Sequence, residues 1–153
     1  AGHCAYKPLP EGEIPKKSYF ISQIKVSLGG LVAEEIFFNG NSSSGVSSDL
    51  EKANWIAREM VDRLGMSSAL GAVIDGPKEQ VEKAIKQEIF DPCKRDVFEL
   101  LSQPENKKRL EPLRDALLEK ESGTVSADEI YDVLGLKKDT DGRIEESKIL
   151  DAH

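Results

Sequence analysis

The chain is poor in the residues that most often do chemistry, with two histidines and two cysteines in 153 positions. His3 and His153 stand at opposite ends, and Cys4 and Cys93 lie far apart with no CxxC pair. That usage makes neither a disulfide framework nor a zinc-finger ligand set, and a reducing compartment is expected. Long apolar runs are missing as well, so no stretch reaches the ~20 residues that span a bilayer. Residues 1–17 carry proline, glycine and charge where a signal peptide has an apolar stretch, and none is expected at this start. Positive charge is in deficit, 21 Lys and Arg against 28 Asp and Glu, for a net charge of −7. With no Lys/Arg cluster either, a nucleic-acid partner is not expected.

What is present is globular material. Apolar residues make up 39% and charged residues 32% of a chain of one domain's length, enough to bury a core. Residues 1–15 hold Pro8, Pro10 and Pro15, which predicts an extended segment ending in a loop. From Phe20 to Phe37, apolar residues recur at helical spacing (Ile21, Ile24, Leu28, Leu31, Val32, Ile36), predicting a helix over 17–38. Gly29-Gly30 inside it costs about 1 kcal/mol per glycine relative to alanine, and close packing against another backbone is the expected reason. The loop "NGNSSSGVSSD" leads to a second helix, with Ser47 or Ser48 as cap, Asp49 and Glu51 in the first turn, and a stop at Gly65.

Pro77 reads as the first residue of a third helix reaching about Phe90, where Asp91-Pro92 either kinks it or opens a new one. Pro104 opens another helical run, and Ser126 with Glu129 makes a capping box before a short helix. The expectation is a mainly α, helical-bundle-like fold behind a short extended N-terminal segment. Residues 1–136 are its folded part, and 137–153 a polar tail expected to be disordered.

Two motifs fail on inspection. Gly40 and Gly45 have the spacing of a phosphate loop, but Val46 and Ser47 follow where the lysine belongs. "KKDTDGRIEESK" resembles a calcium loop around Gly142, but Lys137 and Lys148 stand where Asp and Glu must ligate. Glu34 and Glu35 are adjacent carboxylates near a helix end, fit for a solvated face or for orienting a metal ligand or a basic partner. Asp49 by position alone is a helix-start residue, favoured by the cap and the dipole.

The stretches "LGGLVAEEIFF", "SSGVSSDLEKANWIAREMVDRLGMSSALG" and "LRDALLEKE" closely resemble the protease domain of the FtsH-type family, over roughly residues 5 to 134. The resemblance implies a membrane-anchored AAA+ zinc metalloprotease that forms hexameric rings and degrades protein substrates. It further implies ATP bound on a domain outside this chain, and membrane contact only through segments outside it. It makes Asp49 the third zinc ligand. The other two are the histidines of an HExxH helix, whose i, i+4 spacing puts both on one face and whose glutamate is the general base. This chain contains no HExxH. Only five residues separate His3 from Leu9, and Pro8 and Pro10 bar a long helix, so "AGH" is not the end of that motif.

Leu31, Val32, Val46 and Ser48 depart from the family's arginine, two alanines and asparagine, and Pro92 interrupts a helix that runs on in the family. The expectation is therefore a part of such a protease that is inactive by itself and holds no zinc tightly. The alternative is a non-catalytic homologue acting as an assembly or interaction module.

Overall fold

The computed structural model describes residues 9, 11–40, 44–119 and 126–137. Two compact units divide the chain, residues 1–101 and 102–153. The first contains α1 (Lys17–Phe37), a 3₁₀ turn (Ser44–Val46), α2 (Ser47–Asp62) and α3 (Lys78–Ala84). A π-helical stretch (Ile85–Phe90) then joins α3 to α4 (Asp91–Ser102). The second unit contains α5 (Pro104–Glu119) and α6 (Ala127–Leu134). The fold is mainly α, and no strand occurs among the described residues, only a single bridge between Ser67 and Gly71. The described part of the N-terminal segment is non-helical, and its first eight residues lie outside the described ones, as does the predicted tail beyond Lys137.

The core of the first unit follows from helical periodicity. α1 contributes Ile24 and Leu28; α2 contributes Ala53, Ile56, Ala57, Met60 and Val61. Val81, Ala84, Ile85, Ile89 and Cys93 close it from α3, the π stretch and α4. Burying a side chain the size of Leu28 or Ile24 contributes roughly 1.5–3 kcal/mol, enough to offset the glycine pair in α1. That pair does not pack closely: among the described atoms a Cβ on Gly29 would meet nothing within 4 Å, and one on Gly30 only Val46 Cγ1 at 3.9 Å. Among the described residues of this unit the expected backbone approach is not found.

Three boundaries differ from the sequence reading. Neither Ser47 nor Ser48 caps α2; Val46 is the N-cap with helical angles, because the 3₁₀ turn feeds straight into the helix. Pro77 is the N-cap of α3, at φ −54° and ψ 128°, so the helix begins one residue later. Asp91 is not a cap either. Its φ −61° and ψ −45° are helical, and its N–H donates to Lys86 O, so α3, the π stretch and α4 form one continuous run past Pro92.

α2 ends at Asp62, and the chain turns at Gly65 (φ +60°), where a Cβ would meet Ala72 Cα at 3.2 Å. Only glycine fits there. In the second unit, the predicted capping box is present: Ser126 Oγ accepts from Glu129 N–H, and the Glu129 carboxylate accepts from Ser126 N–H. Gly135 in the left-handed region closes α6, with Leu136 N–H donating to Tyr131 O at 2.8 Å.

Candidate functional site

The first turn of α2 carries Asp49. No side chain caps this helix, and none of the described residues hydrogen-bonds or ion-pairs with the Asp49 carboxylate. Its position still suits a carboxylate, since the helix N-terminus is the positive end of the backbone dipole. Spacing places it on the line 49–53–56–60, whose other members Ala53, Ile56 and Met60 are all buried. Asp49 itself is half-buried, one turn beyond the end of the packed core.

Ion pairs tie the helices of the first unit to one another. Glu35, near the end of α1, accepts from Lys94 Nζ at 2.7 Å, and Lys25 pairs with Asp96 at 2.7 Å. Of the readings open for the adjacent glutamates, Glu35 therefore meets a basic partner on α4. Arg58 of α2 pairs with Glu82 of α3 and lies near Asp62, and the hydrogen bond that its guanidinium donates to Glu82 holds it above its ordinary value.

The turn after α2 is organised by Glu88, a residue that the sequence did not single out. Its carboxylate accepts from Ser67 Oγ at 2.9 Å, Ser68 N–H at 2.7 Å and Ala69 N–H at 3.0 Å. Ser67 Oγ in turn accepts from Leu70 N–H at 3.1 Å, and Lys17 Nζ donates to Met66 O at 2.8 Å. Burial pushes the Glu88 carboxyl up, but the Ser68 and Ala69 N–H groups, the Ser67 hydroxyl and the charge of Lys17 hold it below the ordinary glutamate value. Cys93 is a buried core residue whose thiol is pushed up by burial, which suits packing and not nucleophilic attack.

The donor chemistry at Asp49 fits one metal ligand and not a whole site. Among the described residues, no three His, Cys, Asp or Glu side chains gather where they could hold an ion. No described helix is long and apolar enough to cross a membrane.

Known proteins extend this picture. The model of peptidase family M41 matches residues 1–133. The ATP-dependent zinc metalloprotease FtsH of Cupriavidus metallidurans is 34% identical over 134 residues, covering 77% of this chain and 20% of that protein. FtsH 3 of Conexibacter woesei is 34% identical over 144 residues, covering 83% of this chain and 19% of its own length. FtsH of Chloroflexus aggregans reaches 49% identity over 65 residues, 42% of this chain and 10% of the relative. The chain thus spans about a fifth of the length of the first two relatives. With a family match running through α1, α2 and the clasped turn into α6, the chain belongs to peptidase family M41, as part of an FtsH-type protease domain.

Proposed function

We propose that this chain is the C-terminal, helical portion of the protease domain of an ATP-dependent zinc metalloprotease, and that Asp49 is its contribution to the zinc site. One observation carries the reading: a half-buried carboxylate on the core line of α2 that is bonded, among the described residues, neither to its own helix nor to a neighbouring cation. A catalytic zinc takes three protein ligands and keeps one position for water. Asp49 would supply one oxygen, and the two histidines would come from an HExxH helix outside this chain. When bound, zinc acidifies the water that attacks the peptide bond. The chain's own residues orient: the packed stripe of α2 fixes where Asp49 stands, and the Glu35–Lys94 pair ties α1 to α4.

In the same reading ATP binds on a domain outside this chain, and membrane attachment lies in segments outside it. The substrates are proteins, handled in a reducing aqueous compartment. The parent protein forms a homo-oligomeric, hexameric ring, for which the exposed Phe38 and Val26 of the α1 region offer apolar surface. Residues 1–136 are assigned to the peptidase portion and 137–153 to a polar tail. The isolated chain, with one carboxylate and no paired histidines, is proposed to be inactive and to hold no zinc tightly.

The test is Asp49→Asn in the full-length parent. Zinc content and chelator-sensitive casein hydrolysis should collapse while helix content and ring assembly persist, because a neutral amide is a poor zinc ligand. Stoichiometric zinc and unchanged hydrolysis in that variant would sink the assignment. A second reading, a non-catalytic homologue serving assembly, is favoured by the departures at Leu31, Val32, Val46 and Ser48 ahead of Asp49. It predicts a parent that assembles yet carries no zinc even before mutation.

A further inference from the structure

The π-helical stretch Ile85–Phe90 sits immediately before Pro92, and Glu88 lies inside it. In a regular α-helix the residue at position 92 would donate its N–H to the carbonyl of Glu88. Proline has no N–H, and its ring collides with that carbonyl, so the regular register is barred there. A π turn relieves the conflict by taking up one extra residue and lengthening the hydrogen-bonded loop. Asp91 N–H accordingly donates to Lys86 O, five residues back, and the helix continues to Ser102. A one-residue change of register swings side chains about the helix axis by roughly 100°.

We propose that Pro92 and the π turn form a register lock: the proline excludes the α register, and the π register is what turns Glu88 under the Met66–Gly71 turn. The lock thereby pins the C-terminal end of α2 to the helix that follows it. Three donors converge on the Glu88 carboxylate from the turn, and all belong to Ser67, Ser68 and Ala69. The charged group facing it from α1 is Lys17, which also grips the turn at Met66 O. On its own element Lys86 is engaged with Asp91, at 2.9 and 3.1 Å. With proline at position 92 only the π register, with the turn held, is open; the α register, with the turn released, needs a residue with an N–H there.

The experiment is an NMR pH titration of the ¹⁵N-labelled 153-residue chain. The amide protons of Ser68 and Ala69 should shift together with one midpoint, below that of an ordinary glutamate, and Glu88→Gln should abolish that shared shift. Pro92→Ala and Pro92→Ser should also weaken or abolish it, while the amides of Ala53, Ile56 and Met60 stay in place and the new N–H at position 92 becomes protected from exchange. Retention of the shared titration at an unchanged midpoint in both proline variants would overturn the lock, and so would its absence from the parent chain. Unfolding of both proline variants would also count against it, since removing the block should relax the helix.

Discussion

The two ends of α2 treat their carboxylates in opposite ways. At the C-terminal end, Glu88 reaches in from the next helix and takes three hydrogen bonds from one short turn. At the N-terminal end, Asp49 meets no described partner, and the helix starts without a side-chain cap. The buried residues Ile56, Ala57 and Met60 lie between them, so both ends belong to one rigid element. A carboxylate satisfied inside the chain serves the fold. One with no partner among the described residues, on a well-supported helix, is the candidate for the ligand role proposed above. The difference separates a structural acid from a candidate ligand without appeal to sequence similarity.

Substitutions can break this contrast or sharpen it. The largest effect on stability should come from the element that links the ends: Met60→Ala, at a fully buried position, should cost about 2–5 kcal/mol in denaturant unfolding of the chain. A cost below that of an exposed-site change would mean that α2 is not the rigid link. Glu88→Gln should cost about 1–3 kcal/mol, because the amide presents an NH₂ group to at least one of the donors that the carboxylate now accepts.

The pH dependence follows from the same group. Its folded value is lowered, so its contribution is fully present above the unfolded glutamate value and is lost as pH falls through the lower folded one. Stability measured from neutral pH downwards should therefore fall less steeply in Glu88→Gln than in the unaltered chain. Identical pH profiles would remove Glu88 from the account.

Asp49→Asn should be the mildest of these changes in the chain itself, within about 0.5 kcal/mol, since no hydrogen bond to a described residue is lost and Asn also suits a helix start. A loss as large as that of Glu88→Gln would show that the two ends are alike after all.

Much of this was legible beforehand. The apolar spacing of α1 and α2 predicted their core faces, and the Ser126–Glu129 capping box and the stop near Gly65 were readable from local rules that need only a few neighbouring residues. Asp49 was legible as a position, through the family pattern around it. The details at the helix starts were not. Whether Ser47 or Val46 is the cap depends on how the 3₁₀ turn enters the helix, and several local conformations of that serine-rich loop are compatible with its sequence. Asp91-Pro92 was open between a kink and a new helix, and the answer was a π turn that a linear pattern does not distinguish from either.

By itself the sequence determined the helical class, the buried stripes, the acidic surface and the motif that carries Asp49. These depend on periodicity, composition and short-range hydrogen bonding, all of which are properties of neighbouring residues. Tertiary structure alone decided that Glu88 belongs to the turn some twenty residues before it, that Glu35 meets Lys94, and that the Gly29-Gly30 pair packs against nothing close among the described residues of its unit. Such outcomes depend on how separate helices are rotated and set against one another. A change of one residue in register redirects a carboxylate by roughly a quarter turn or more, and no local pattern records that rotation.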